Sequence, residues 1–237
     1  MSEYQITCCS TADMPAQYFE EKKIPFVCFN FLMDGVQYPD DLGKSMPFKE
    51  FYKKIADGAE PTTAQVNTQQ YMELFEPILQ KGLDILHLTL SSGISGSINS
   101  ANIAKVQMEE KYPGRKVRII DSLSASSGYG MLVDMALTKQ QEGLSLEENA
   151  SWLEENRNKL HHWFFSTDLT SFIRGGRISK VSGFVGQALN ICPLMNVNSE
   201  GKLIPRSKYR GKKQVIREMV KRMEEHAKGG TAYSCLL

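Results

Sequence analysis

Apolar and polar positions follow two different periods along this chain. Short apolar runs typical of strands recur between polar segments, and longer segments repeat their apolar residues every three to four positions, as amphipathic helices do. The predicted strands cover residues 4–10, 83–90, 116–121 and 162–168. The predicted helices cover residues 48–56, 68–82, 98–110, 128–141, 180–189 and 212–230.

Local signals fix several ends and turns. Asp34-Gly35 between two strand-like runs predicts a tight hairpin turn, and a second hairpin is predicted to turn at residues 198–201. Ser145 followed by Glu148 is a capping box that starts a helix. Because strands and helices alternate through most of the chain, we predict an α/β fold with mainly parallel sheets flanked by helices. The first α/β block closes near residue 144, which predicts two domains, 1–144 and 145–237.

Composition narrows the class of protein. The 237 residues are 41% hydrophobic and 23% charged with a net charge of +1, which is ordinary for a globular chain and leaves no basic footprint for nucleic acid. No apolar run approaches the roughly 20 residues of a membrane span, and the N-terminus lacks a signal-peptide pattern. The five cysteines have neither CxxC nor zinc-ligand spacing. We therefore expect a cytoplasmic protein with reduced thiols and no metal.

The segment 91–97, SSGISGS, follows a predicted strand and precedes a predicted helix. Four serines and two glycines can surround an anion with hydroxyl and N–H donors at the positive end of a helix. The alternative is a simple helix cap. Ser95 lies in a sequence that resembles a nucleophile elbow without its final glycine, and no histidine is placed as an obvious base. The loop is therefore expected to bind and not to catalyse, with a serine acyl hydrolase as the less favoured reading.

Three other loops are also rich in serine and threonine. They are CSTADMP near the N-terminus, EPTTAQVNTQQ at 60–70, and DSLSASSGYG at 121–130. Three of the four loops follow a strand directly, which suggests that their hydroxyl groups converge. Uncharged donors suit a single carboxylate better than a polyphosphate, which usually recruits Lys or Arg.

Six motifs in order resemble the DegV family of bacterial fatty-acid-binding proteins. They are STADMP (10–15), PTTAQ (61–65), SSGISGSINSA (91–101), IIDSLSASSGYG (119–130), FIRGGRIS (172–179) and YRGKKQVI (209–216). The resemblance covers essentially the whole chain. It implies a two-domain α/β fold with a long-chain fatty acid in an apolar tunnel between the domains. It also implies that the carboxylate is held by Thr63 and Ser95.

The resemblance carries further expectations. Some members present the bound acyl group to a fatty acid kinase, and the alternative is a stand-alone lipid transport or sensing protein. No cofactor and no catalytic residue of its own is expected. Supporting positions in the hydroxyl-rich loops are expected at Thr62, Gly96, Ser97, Ser10, Ser122 and Ser126.

Two sets of residues complete the sequence-based hypothesis. Arg174 and Arg210 are expected to face a partner or a phosphate, with an ordinary solvated surface as the alternative. The tunnel wall is expected among apolar residues that could equally be plain core, namely Phe164, Phe165, Phe172, Ile173, Phe184, Val185, Leu189 and Met195.

The sequence departs from the family pattern in three places. Cys9 stands where members often have aspartate, and Ala64 replaces a serine beside Thr63. The chain ends in GGTAYSCLL, whereas relatives continue for several dozen residues, including a histidine that supports the carboxylate. We therefore expect a second domain that is shortened relative to the family.

Overall fold

A computed structural model describes residues 3–178 and 191–227. The strands are β1 (Tyr4–Cys9), β2 (Phe26–Val27), β3 (Asn30–Met33), β4 (Val36–Pro39), β5 (Thr62–Ala64), β6 (Asp84–Thr89), β7 (Val117–Asp121), β8 (Trp163–Phe165), β9 (Ile191–Val197) and β10 (Leu203–Arg210). The helices are α1 (Ala16–Lys22), α2 (Phe48–Ala56), α3 (Thr68–Gln80), α4 (Ser97–Lys111), α5 (Ser126–Gln141), α6 (Leu146–Asn156), α7 (Thr170–Arg174) and α8 (Lys212–His226). Short 3₁₀ turns cover Ser10–Ala12 and Arg157–Lys159.

A four-stranded parallel sheet in the order β2-β1-β6-β7 forms the centre of the fold. Helices α3 and α4 pack against each other, as do α5 and α6, and both pairs contact the sheet. All six residues of β6 are buried, as expected for a central parallel strand covered on both faces. The prediction of an α/β fold with a parallel sheet flanked by helices is confirmed.

The two smaller sheets are antiparallel, so the expectation of mainly parallel sheets holds for the central sheet alone. In the first, β4-β3-β5, a tight turn with positive φ at Asp34 and Gly35 joins β3 to β4, as predicted. In the second, β10-β9-β8, residues 198–201 form the predicted turn between β9 and β10. Hairpins are short-range connections, and antiparallel pairing is their only possible outcome.

The β10-β9-β8 sheet is apolar on both faces. One face packs against α8 through Phe165, Leu194, Val215 and their neighbours. The other face carries Phe164 and Met195, which cluster with Phe172 and Ile173 of α7, and all four residues were expected in the tunnel wall. Phe165 is therefore separated from the other four, because consecutive strand residues point to opposite faces.

Three residues expected in the tunnel wall, Phe184, Val185 and Leu189, lie outside the described residues, as does the helix predicted at 180–189.

Helix α6 begins at the predicted capping box, in which Ser145 Oγ accepts from Glu148 N–H and the Glu148 carboxylate accepts from Ser145 N–H. Its buried residues Leu146, Ala150 and Leu153 belong to the same core as the parallel sheet. This helix follows residue 144, where the two domains were expected to divide. We therefore propose a division after α6, between residues 156 and 163.

Strands β1 and β6 separate toward their carboxyl ends. Their pairing runs from Tyr4 with Asp84 to Thr7 with His87 and goes no further. The Tyr129 hydroxyl from α5 enters the gap, where it accepts from Cys9 N–H at 2.9 Å and donates to Leu88 C=O at 2.6 Å. One side chain thus pairs with two buried backbone groups that cannot hydrogen-bond each other, because the strands have diverged.

The core beside this gap holds a buried polar cluster. His87 Nδ1 lies 2.8 Å from Thr7 Oγ1, and Cys9 Sγ lies 3.8 Å from His87 Nε2 and 3.6 Å from the Tyr71 hydroxyl. Burial lowers the pKa of His87 to about 3 and raises the pKa of the Cys9 thiol. Both groups are therefore neutral near pH 7.

Replacing Tyr129 by Phe is expected to lower the free energy of unfolding by about 2–4 kcal/mol, because it leaves a buried N–H and a buried C=O unpaired. Urea denaturation measures this difference. The control is Tyr38→Phe, since Tyr38 is half-buried and its hydroxyl bonds no described residue. That control is expected to stay within about 0.5 kcal/mol of the wild type. Equal stability of the Tyr129 variant and the wild type would contradict the bridging role.

Acid is expected to destabilise the fold partly through His87. The unfolded chain protonates this residue near pH 6.5, whereas the folded chain does so only near pH 3. Stability is therefore full above pH 6.5 and falls as the pH drops toward 3, at about 1.4 kcal/mol per pH unit for one such group. Urea titrations between pH 6.5 and 4.5 should show that the free energy of unfolding falls more steeply with decreasing pH in the wild type than in His87→Gln. Equal slopes would mean that His87 does not carry the effect.

Candidate functional site

Loops that follow parallel strands meet at one edge of the central sheet, where ligands of open α/β folds bind. Ser91 N–H donates to Ser124 C=O at 3.1 Å, which ties the loop after β6 to the loop after β7. The Asp121 carboxylate strengthens this link by accepting from Ser92 N–H and Leu123 N–H, both at 3.1 Å. The carboxyl ends of β6 and β7 thus carry one joined loop structure.

The turn between β9 and β10 packs directly on this structure. Ser91 Oγ donates to Gly201 C=O at 2.8 Å. A β-carbon at Gly93 would lie 2.6 Å from Glu200 O, so only glycine permits this approach. The serine-rich loop is therefore held between the parallel sheet and the C-terminal hairpin.

Ser95, Gly96 and Ser97 lead into α4. Ser95 is 6% exposed, its N–H donates to Ser91 C=O, and its Oγ accepts from Ser97 N–H at 3.3 Å. No described residue accepts a hydrogen bond from the Ser95 hydroxyl. Ser97 is fully buried and faces the Tyr71 hydroxyl. These hydrogen bonds orient Ser95, and its hydroxyl hydrogen is available to a ligand at the positive end of the 15-residue helix α4.

Thr62 and Thr63 lie on β5, an edge strand of the small antiparallel sheet. Thr63 pairs with Phe31 and Thr62 with Leu32, so the two threonine side chains point to opposite faces. Both are exposed. Neither forms a side-chain hydrogen bond with another described residue.

The segment after β5 and the loop before α4 touch through Gln65 and Gly96. A β-carbon at Gly96 would lie 2.9 Å from Gln65 Oε1. The contact is two residues from Thr63 and one residue from Ser95, so it brings the two expected carboxylate-binding loops together. Gln65 belongs to the PTTAQ motif, but its contact with Gly96 could not be predicted from the sequence, because the two residues meet only after folding.

Three of the supporting serines use their hydroxyls within the protein. Ser10 Oγ accepts from Phe29 N–H at 3.1 Å. Ser122 Oγ donates to Ser124 C=O and accepts from Ser124 N–H, both at 3.1 Å. The Ser126 side chain hydrogen-bonds the Asp13 carboxyl. Burial raises the pKa of this carboxyl. We infer that these serines shape the loops and leave ligand contact to other residues.

The two arginines differ in their surroundings. The Arg174 guanidinium forms an ion pair with Glu60 at 2.6 Å, which joins α7 to the segment just before Thr62. Arg210 ends β10, is exposed, and has no ion pair within the described ranges. The sequence did not reveal Glu60 as a partner, because 114 residues separate it from Arg174.

Among the described residues, no histidine hydrogen-bonds Ser95, and no group of three or more His, Cys, Asp and Glu could hold a metal ion. None of their helices is both long and apolar enough to cross a membrane. The site offers a set of neutral donors, and the serine-rich loop contacts the turn of the C-terminal sheet that, with α7, forms the apolar cluster of Phe164, Phe172, Ile173 and Met195.

The chain is similar in sequence and in fold to several known proteins. A DegV domain-containing protein of Clostridium perfringens is 35% identical over 95% of this chain and 77% of its own length. A protein of Thermotoga maritima named fatty acid-binding protein is 30% identical over 94% of this chain and 76% of its own. A DegV family protein from Thermus thermophilus, whose structure is described by its fatty acid binding, superposes with a TM-score of 0.82 at 30% identity, covering 97% of this chain and 79% of its own.

Residues 4–237 match the family described as "Uncharacterised protein, DegV family". The match covers almost the whole chain, and relatives at or above 30% identity are covered over more than two thirds of their length. The chain belongs to the DegV family.

Proposed function

We propose that this protein binds one long-chain fatty acid, with its carboxylate at Thr63 and Ser95 and its acyl chain along the apolar face of the β10-β9-β8 sheet. The observation that carries the proposal is the Gln65–Gly96 contact, which joins two loops whose hydroxyl groups have hydrogen atoms to donate. Two relatives of this chain are described as binding fatty acids. The ligand class is therefore the one that both the donors and the relatives favour.

Neutral donors suit the head group. A carboxylate has only acceptor sites, so it pairs with hydroxyl groups and with N–H groups near Gly96 at the start of α4. Each such bond to a charged group contributes roughly 1.5–3 kcal/mol. No lysine or arginine among the described residues hydrogen-bonds Ser95, so the proposed donors to the carboxylate are all uncharged.

The tail supplies most of the binding free energy. Burying one methylene contributes about 0.8 kcal/mol, so a sixteen-carbon chain gains on the order of 10 kcal/mol. Phe164, Phe172 and Ile173 are only half-buried, so they still have surface to cover. The head-group residues then determine which end of the ligand lies at the hydroxyl-bearing loops.

The double variant Thr63→Ala with Ser95→Ala is expected to weaken fatty acid binding by about a hundredfold or more, because two hydrogen bonds to a charged acceptor are lost. Titration with a fluorescent or radiolabelled long-chain fatty acid measures the change in Kd. The fold should survive, since Thr63 is exposed and bonds no described side chain, and the Ser95 hydroxyl has one hydrogen bond among the described residues, from Ser97 N–H at 3.3 Å.

The matched control removes the same two hydroxyl types elsewhere. Thr138→Ala with Ser151→Ala alters exposed positions on α5 and α6 and is expected to leave Kd unchanged. Equal affinity of the Thr63/Ser95 variant and the wild type would refute the proposed clamp. Release of free acid from an acyl ester, lost in Ser95→Ala, would instead favour the hydrolase.

We further propose that the bound acid is presented to a fatty acid kinase, with Arg174 and Arg210 toward the phosphate. Arg210 supports this role because its charge is exposed and unpaired within the described chain. Arg174 supports it because its ion pair with Glu60 places a guanidinium two residues from Thr62. An acyl phosphate carries more negative charge than the free acid, which arginines would favour. A stand-alone transport or sensing protein would not require arginines at these positions.

Charge removal by Arg174→Ala or Arg210→Ala is expected to leave fatty acid affinity nearly unchanged and to slow acyl phosphate formation by an added fatty acid kinase by about tenfold or more. Glu60→Gln breaks the same ion pair but keeps the arginine. It should therefore retain the wild-type rate of phosphorylation. If both arginine variants also retain it, these arginines are ordinary surface charges and the transport or sensing role is favoured.

A further inference from the structure

Helix α2 leaves much of its apolar face uncovered. Phe48, Phe51, Tyr52 and Ile55 form one stripe at helical spacing, yet no residue of the helix is buried. Phe51 is half-buried against Phe31 of β3, with ring centroids 5.1 Å apart at an 80° angle. Phe48 is 58% exposed and Tyr52 is 66% exposed. The stripe therefore packs along one side only.

Basic side chains border the two exposed aromatic rings. Lys44 precedes the helix, and Lys49 and Lys53 each follow one of the aromatic residues along it. Within the described residues Lys49 and Lys53 have no ion pair, and Lys44 lies 3.9 Å from Glu20 in a highly exposed pair. Helix α2 contains three lysines and one acidic residue, Glu50, so the helix that carries the aromatic pair has a net positive charge.

The position of α2 connects this surface to the proposed binding loops. Its aromatic face packs on β3, which pairs on one side with β4 and on the other with β5, the strand of Thr62 and Thr63. The ion pair of Lys54 with Asp34 fixes the other end of the helix to the hairpin turn. The helix that carries Phe48 and Tyr52 thus packs on β3, the strand directly beside the strand of Thr63.

We propose that Phe48 and Tyr52, with Lys49 and Lys53, form a docking surface for anionic phospholipid bilayers. Exposed aromatic rings bordered by lysines are typical of helices that lie in the membrane interface, where the rings enter the acyl boundary and the lysines meet lipid phosphates. This inference rests on the proposed function, because a fatty acid ligand resides in bilayers and must leave them to reach the protein.

The size of the surface favours a bilayer over a protein partner. Two aromatic side chains bury about 300–500 Å² in total, whereas a specific protein interface needs at least about 1,200 Å². A second copy of the chain would also bring lysines against lysines. A bilayer has neither requirement, since its surface adapts to a small insertion and its phosphates attract positive charge.

Vesicle flotation tests the proposal with the full chain and liposomes of phosphatidylglycerol and phosphatidylcholine. We expect the wild type to float with vesicles rich in phosphatidylglycerol and to be released at about 0.5 M salt, where screening is strong. Phe48→Ala with Tyr52→Ala, and separately Lys49→Glu with Lys53→Glu, should each lower the bound fraction about tenfold.

A matched control lies on α8. Ile216 and Val220 are also four positions apart, are 47% and 46% exposed, and lie among basic residues. Ile216→Ala with Val220→Ala should float like the wild type, because the proposal assigns the bilayer contact to the aromatic rings of α2 and not to aliphatic residues of α8. Equal flotation of the α2 variants and the wild type, or no flotation of the wild type, would overturn the proposal.

The outcome can be separated from that of the proposed function. Fatty acid affinity measured without vesicles should be the same in the wild type and the α2 variants, while transfer of a fluorescent fatty acid from vesicles should slow about tenfold in the variants. A wild type that binds no fatty acid but floats through α2 would refute the ligand and keep the docking surface. A dimer that dissociates in the Phe48/Tyr52 variant, without vesicle binding, would assign the surface to self-association.

Discussion

The hydrogen bond from Ser91 Oγ to Gly201 C=O is the contact that attaches the C-terminal sheet to the serine-rich loop of the proposed site. It joins the loop after β6 to the turn between β9 and β10, elements that are 110 residues apart in the sequence. Gly93 allows the turn to approach closely, and Ser95 follows within the same short loop. The apolar face of the C-terminal sheet is thereby attached to the hydroxyl-bearing edge of the parallel sheet.

Buried hydrogen bonds near the carboxyl ends of β1 and β6 stabilise the sheet that carries this loop. Tyr129 bridges the diverging ends of β1 and β6, and the neutral cluster of Cys9, Tyr71 and His87 fills the adjacent core. These groups are buried and hydrogen-bonded, which makes them costly to disturb and unsuitable as reactive groups.

Local patterns predicted the local structure well. The helix at 48–56, the Asp34-Gly35 turn and the capping box at Ser145 and Glu148 appear where their sequence signals lie. Such signals act within a few residues, so they can be read without knowing the rest of the fold. Strand β8 is shorter than predicted, because Ser166 and Asp168 hydrogen-bond locally and form a turn in place of extended pairing.

Long-range features could not be obtained in this way. The placement of α6 in the first core, the Tyr129 bridge and the Gln65–Gly96 contact all depend on residues that meet only after folding. The serine-rich loops illustrate the limit for the site. Their composition indicated anion binding, but the hydrogen bonds of Ser10 and Ser122 to the protein itself became visible only in three dimensions.

A crystal structure of the protein with a sixteen-carbon fatty acid tests the central claim most directly. The account predicts carboxylate oxygens about 2.5–3.0 Å from the hydroxyls of Thr63 and Ser95. It also predicts the acyl chain against Phe164, Phe172 and Ile173. A carboxylate bound away from both hydroxyls, or an acyl chain on the α8 side of the sheet with Phe165, would contradict it.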